Sequence, residues 1–440
     1  VGVFLQTRNA PPGDTETNQG IFYQAMRVPP YVHPAIYADG RIPRVMYKEN
    51  PWAWATQRGY EKLNHNKIES LVSLEQDLKF VTPGLKFKGT FSFDKFSATS
   101  VTRSKNPYYY NPATARDAEG NIITDVQTTG QEFLGYAKGA EWGDQSIYLE
   151  GMFSYNRIFG KVHDVNAMFL YNQKEYDNGD ALPYRTQGIA GRFSYTYDSR
   201  YVAELNFGYN GSENFASGQQ FGFFPAYSVA WNIAEESIIK KHLKWLNMFK
   251  LRYSYGKVGN DNVGTRFPYV EKFGTWDEDG YYYGDIGTSN YYYTGLTYSR
   301  IASSSITWEV AKKHDLGLDF SMFNDKFSGS IDYFHEQRNG IYMVRSYLPQ
   351  IIGLNHITTK PYANVGSVLS EGFDGNIAYK QRIGEVDLTV RANMTYSKNE
   401  IKEYDEENSR YPYKMKYGFR VDQARGLIAE GLFKDYEEIR

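Results

Sequence analysis

Residues 188–237 read GIAGRFSYTYDSRYVAELNFGYNGSENFASGQQFGFFPAYSVAWNIAEES, and residues 246–261 read LNMFKLRYSYGKVGND. The first part is two alternating apolar and polar runs joined by a tight polar turn at Asp198-Ser199-Arg200. A longer loop, Asn214 to Gln220, leads into a third run closing on Trp231, and a fourth runs from Phe249 to Val258. Period-two alternation with turn residues between the runs is the mark of paired strands with one apolar and one polar face. Tight turn, long loop and aromatic strand ends set a rhythm to look for in the rest of the chain.

The rhythm continues on both sides. Val72, Leu74, Leu78 and Phe80 alternate with Ser73, Glu75, Asp77 and Lys79, and Thr82-Pro83-Gly84 turns the chain into Leu85–Asp94. Ile147–Asn156 and Val165–Tyr171 pair about Phe159-Gly160-Lys161. The clearest hairpin sets Leu316, Leu318, Phe320 and Met322 against Asp315, Gly317, Asp319 and Ser321, then returns after Asn324-Asp325 through Phe327, Ile331 and Tyr333. Phe373–Lys380 and Val386–Thr395 form the last, about Arg382-Ile383-Gly384. Residues 1–65 read as irregular, with a short helix around Trp52 to Tyr60, and residues 234–246 have helical spacing. Long loops are expected at 98–143, 260–307 and 343–370.

These are about a dozen strands of roughly 10–15 residues, longer than the ~5–6 usual in soluble sheets. Short turns alternate with long loops, which is the arrangement of an outer-membrane barrel. The polar faces carry Asp315, Asp319, Asp332, Asp387 and Arg391, which a sandwich core could not bury unpaired but a watery lumen accepts. The fold class is therefore all-β, a transmembrane antiparallel β-barrel. Residues 1–65 are expected as an extracellular loop region, 66–399 as barrel strands with long loops, and 400–440 as a further loop segment.

Composition agrees and excludes other classes. The 440 residues include 40 Tyr, 40 Gly and 7 Trp, with aromatics at 17%, a mix that suits strands and interfaces rather than helical bundles. A net charge of -2 gives no sign of a nucleic-acid partner. The absence of cysteine removes disulfides and thiol chemistry. Mean hydropathy of -0.59 does not argue against a barrel, because only alternate residues meet lipid.

Several segments resemble the SusC-like branch of the TonB-dependent outer-membrane transporters. They are Gly191–Tyr201, Asn210–Phe215, Gly222–Trp231, Leu251–Asp261, Thr307-Trp308-Glu309, Asn364-Val365-Gly366 before Glu371-Gly372-Phe373, and Gly431-Leu432-Phe433. The resemblance implies a barrel of about 22 strands with a plugged lumen. It implies TonB-dependent import of oligosaccharides or oligopeptides across the outer membrane of a Gram-negative bacterium. It implies partners too: a SusD-like surface lipoprotein, the TonB–ExbB–ExbD complex acting through parts outside this chain, outer-membrane lipid, and a dimer of transporter–lid pairs. No cofactor and no enzymatic activity are implied. Plug and last strands are not found in the 440 residues, so the chain is expected to be the central part of a longer polypeptide. The alternatives are a receptor for a metal chelate and a non-transporting adhesin barrel.

One feature has the chemistry of a binding site. Tyr108, Tyr109 and Tyr110, Tyr281, Tyr282 and Tyr283, and Tyr291, Tyr292 and Tyr293 form three triplets in the expected loops. Exposed phenol rings can stack on sugar faces or pack on peptide side chains while their hydroxyls hydrogen-bond; bracing of the loops is the competing role. Phe223-Phe224-Pro225 and Trp231 read as rim and lipid-facing residues. The seven histidines show no metal-ligand spacing and no nucleophile–base order. Asp277-Glu278-Asp279 and Asp405-Glu406-Glu407 lack the spacing of a calcium loop.

Overall fold

The alternation read between Asp315 and Glu336 is a hairpin in the computed structural model, with every rung from Val310↔Asn339 to Met322↔Phe327 in register. The structure describes residues 1–13, 20–28, 30–284, 291–349, 351, 360–429 and 431–439, without the side chains of 276–279. The long strands are β1 (Gly2–Ala10), β2 (Gly59–Asp77), β3 (Leu85–Ser104), β4 (Trp142–Phe159), β5 (His163–Asp177), β6 (Tyr184–Tyr197) and β7 (Tyr201–Ser212). They continue as β8 (Phe221–Asn232), β9 (Leu246–Asn260), β10 (Glu309–Met322), β11 (Phe327–Val344), β12 (Tyr362–Ile383) and β13 (Val386–Glu403). All lie in one fourteen-stranded sheet that follows chain order, with the short strand Gly135–Lys138 beside β3.

Two units make up the chain. The first comprises Val1–Ser73, Thr90–Leu149 and Lys174–Tyr184, and the second Leu74–Gly89, Glu150–Gln173 and Arg185–Arg440. In the first, β1 pairs antiparallel with β2 from Gly2↔Glu69 to Ala10↔Glu61, so residues 1–65 are not irregular throughout. Val3, Phe4 and Leu5 are consecutive apolar residues, so this strand has no period-two pattern to read. The expected helix is Pro51–Gln57. Pro51 suits its first turn, and the Asn50 side chain caps it by accepting from the Ala53 amide at 3.1 Å. The Asn50 amide also donates to the Ala35 and Pro43 carbonyls at 2.8 and 2.9 Å, which ties the helix to the chain before it.

In the second unit, β6 through β9 pair in sequence, and β9 pairs with β10 across the long connection between them. The turn at Asp198-Ser199 has positive φ at both residues, 49° and 57°, which matches the right-handed twist of the strands it joins. The helical connection from β8 to β9 is one 3₁₀ turn (Ile233–Glu235) and the helix Ser237–His242. Glu236 fastens it: its carboxylate accepts from Tyr201 Oη at 2.5 Å and Trp231 Nε1 at 3.1 Å, and Arg200 lies 3.3 Å away.

Two of the expected loops hold regular structure: in residues 98–143 the short strand Tyr109–Tyr110 pairs with Ile42–Pro43 and Val126–Thr128. Residues 260–307 contain a hairpin of Lys272–Tyr283 with Tyr291–Arg300. Tyrosine is at home on either face of a strand, so its triplets gave no alternation to detect.

Candidate functional site

In the second unit the two faces of the wall differ sharply. Leu251, Leu318 and Ile331 form one rung, and Tyr253, Leu316, Tyr333 and Phe373 the next, on the same face. Leu316, Ile331, Tyr333 and Phe373 are all exposed there, as a lipid-facing surface requires. The opposite face carries ion pairs. Arg252 sits opposite Gly317, which in turn sits opposite Asp332. A Cβ on Gly317 would lie 2.6 Å from Arg252 Cζ and 2.3 Å from Asp332 Oδ1. Glycine therefore leaves the gap through which Arg252 reaches across a whole strand. Its guanidinium is 2.7 Å from Asp332, 3.1 Å from Asp319 and 3.5 Å from Asp315.

The tyrosine triplets separate into two cases. Those at 281–283 and 291–293 are brought together by the hairpin, with rungs Tyr281↔Tyr293, Tyr282↔Tyr292 and Tyr283↔Tyr291. Alternation places Tyr281, Tyr283, Tyr291 and Tyr293 on one face and Tyr282 with Tyr292 on the other. On the first face, ring centroids are 5.0 Å apart for Tyr281–Tyr283 and 5.5 Å for Tyr283–Tyr293, both edge to face. All four are exposed, between 59% and 68%. On the second face Tyr282 and Tyr292 tilt together at 4.8 Å. A Cβ on Gly280 would lie 2.2 Å from Tyr292 Oη, so that ring lies over bare backbone. The arrangement offers five exposed phenols, four on one face and Tyr282 beside Tyr292 on the other.

The triplet at 108–110 lies in the first unit and differs. Tyr108 is exposed, but Tyr109 retains only 2% of its surface and packs with Ile42 and Ala53. Arg44 stacks over the Tyr109 ring at 4.4 Å, and Arg41 lies 5.8 Å from that of Tyr110. Tyr109 is a core residue of its loop, which corrects its expected place among ligand-contacting aromatics. Burial, then the nearby Glu49 carboxylate, push its hydroxyl from 10.0 up to about 12. A raised folded-state pKa means stability that is full below pH 10.0 and is lost as pH rises toward about 12. Tyr109→Phe is expected to abolish an alkaline loss of about 2 kcal/mol, read from the pH dependence of proteolysis in residues 98–143.

The remaining motifs fall into place. Phe223 is exposed on the apolar face, whereas Phe224 points the other way and meets Trp308 at 5.1 Å, so only the first is lipid-facing. Successive strand residues face opposite sides, and a pair of phenylalanines cannot share one. Among the described residues no three His, Asp or Glu come together as a metal-ligand group. His356 and the side chains of Asp277-Glu278-Asp279 lie outside the described residues. Asp405 pairs with Arg345 at 3.2 Å and Glu406 accepts from the Lys416 and Tyr417 amides, so both are engaged. Sequence reasoning missed the aromatic cluster that ties the 260–307 connection to the wall. Phe215 is wholly buried with Val263 and Ile306 and lies 5.3 Å from Trp308. Its signal, a lone Phe in a polar loop, is too short to carry a period.

Comparison with known proteins agrees with this geometry. TonB-dependent receptor P3 of Formosa agariphila is 25% identical over 369 residues, which cover 80% of this chain and 34% of that protein. TonB-dependent receptor SusC of Bacteroides thetaiotaomicron is 27% identical over 281 residues, covering 63% of this chain and 25% of that protein. A solved structure of the RagAB peptide importer superposes with a TM-score of 0.62 at 16% identity, over 87% of this chain and 42% of that one, which shows a shared fold. The chain thus spans about a third of the length of the curated relatives it matches. The resemblance to SusC-like transporters and the all-β barrel class are both borne out. Proteins of this kind are β-barrel receptors and transporters of the outer membrane. Residues 6–425 match the family described as TonB dependent receptor-like, beta-barrel, and the chain belongs to it.

Proposed function

We propose that this chain supplies wall and extracellular loops to a TonB-dependent importer of oligosaccharides or oligopeptides in the outer membrane of a Gram-negative bacterium. The observation that carries the reading is the ion-paired polar face about Arg252, a surface for a water-filled passage behind an apolar face for lipid. Similarity to SusC and the shared fold with a peptide importer support the cargo class and a SusD-like surface lipoprotein as partner. Energy comes through TonB–ExbB–ExbD acting on parts outside this chain. Residues 2–10 and 59–403 are read as barrel strands with their connections, and the remaining flanking residues as loops.

The four-tyrosine face is the proposed cargo contact within this chain. Rigid aromatic surface is the commonest source of binding energy at such sites, and planar rings suit both sugar faces and peptide side chains. Threonine at Tyr281, Tyr283, Tyr291 and Tyr293 keeps the strand propensity of the hairpin while removing the rings. Titration calorimetry of the full-length transporter with its copurifying lid, against oligosaccharide and oligopeptide panels, is expected to show about a hundredfold weaker capture by this variant. Unchanged affinity would remove the hairpin from the site. A protein that purifies without a lid and binds a ferric chelate would overturn the importer reading itself.

A further inference from the structure

On the apolar face of the β9–β10–β11 wall, the rungs change character toward the long-loop end. Leu251, Leu318 and Ile331 are followed by Tyr253, Leu316 and Tyr333, then by Tyr255, His314 and His335, and then by Lys257, Lys312 and Gln337. The third tier is tightly built. Tyr255 lies 4.8 Å from the His314 ring and 5.2 Å from that of Tyr227, and Tyr253 Oη is 2.9 Å from His314 Nδ1. His335 has its own acid, Glu371, at 3.6 Å.

The fourth tier is anomalous. Lys257 and Lys312 are direct cross-strand partners, an arrangement in which like charges repel. Neither appears among the ion pairs of the described residues, whereas the next lysine, Lys313, lies on the other face and pairs with Glu336 at 2.9 Å. Two lysines that are cross-strand partners on a face that otherwise meets acyl chains call for an anion carried by the lipid itself.

We propose that Lys257 and Lys312 seat the phosphate of a phosphorylated glycolipid in the outer leaflet. The inference rests on the reading of this wall as an outer-membrane barrel with its long loops outward. Phosphate bridges the two lysines, as a strongly charged acceptor satisfies point-charge donors. The sugar lies on the Tyr255–His314 tier, where a ring face and hydrogen-bonding groups are both at hand. The acyl chains then run down the Tyr253–Leu316–Tyr333 and Leu251–Leu318–Ile331 tiers. Cation, aromatic and apolar tiers follow in the order in which such an amphiphile presents its parts.

The test uses full-length protein, delipidated in mild detergent and offered diphosphoryl lipid A or its dephosphorylated form, with retention counted by native mass spectrometry. Wild type and Lys244→Gln, which removes an equal charge at the opposite end of β9, are expected to prefer the diphosphoryl form. The variant Lys257→Gln/Lys312→Gln is expected to lose about tenfold in retention of that form. Equal retention by the double variant overturns the seat. With any cysteine outside these 440 residues replaced, Leu316→Cys reports the environment of the face in intact membranes, since these residues contain none. Labelling of that cysteine by an aqueous maleimide overturns the lipid-facing reading itself. Protection of the cysteine together with unchanged lipid retention overturns the phosphate seat alone.

Discussion

Replacing Arg252 with leucine is expected to destabilise the barrel wall by about 2–4 kcal/mol, seen as a lower urea midpoint on unfolding from lipid vesicles. The guanidinium is the shared counter-ion of Asp315, Asp319 and Asp332, the last with a side chain only 12% exposed. Without it three carboxylates face one another on adjoining strands, and Asp374 stands directly opposite Asp332 on the next. The cost comes chiefly from charge left unpaired, not from lost attraction, so a second change should reverse part of it. Arg252→Leu/Asp332→Asn is expected to recover about half of the loss. A single variant as stable as wild type would show that lumenal water alone satisfies the cluster. Gly317→Val is expected to act in the same direction, since its side chain would occupy the path of the arginine.

Phe215→Ala is expected to cost about 3–4 kcal/mol locally, the usual penalty for emptying a fully buried aromatic site. Its effect should be confined to the connection between β9 and β10. Phe215 is held in place by a loop that the Ser212 amide closes onto the Gln220 carbonyl at 2.9 Å. The neighbouring Asn214 amide donates to the Asp261 carbonyl at 3.1 Å. The ring then anchors Val263 near one end of the connection and Ile306 near the other. Limited proteolysis should cut the variant within residues 261–308 while β6–β9 remain protected. Uniform protection would mean that the connection is held by other contacts.

Legibility in the sequence followed the physics of each element. The hairpin from Asp315 to Tyr333 was plain because its faces meet lipid and water, and chemistry alternates with them. β1 was hidden because its apolar residues run consecutively. The tyrosine hairpin was hidden because tyrosine satisfies both environments, so a strand rich in it has no period. The triplets themselves were readable as aromatic surface, yet only the structure separates Tyr109, buried beneath Arg44, from the exposed set on the hairpin. Arg252 and its aspartates could be assigned to a polar face, but their meeting depends on a three-strand register and on the missing side chain at Gly317. Pairing across two neighbours leaves no local trace in a sequence.

Chain order within the sheet has a kinetic consequence. When each strand pairs with the one before it, most ladders can form by short-range closure, and assembly can proceed like a zipper. The steps from β1 to β2, β3 to β4 and β9 to β10 are the exceptions; for the last of these the chain between Asn260 and Glu309 must be looped out first. Closure entropy grows only logarithmically with length, so this step carries about 2 kcal/mol more than a tight turn. The hairpin within the connection shortens the free loop, and Phe215 gathers its ends beside the waiting strand. One of the slow rungs of the wall is thereby placed where the chain has been given its own local means of closing.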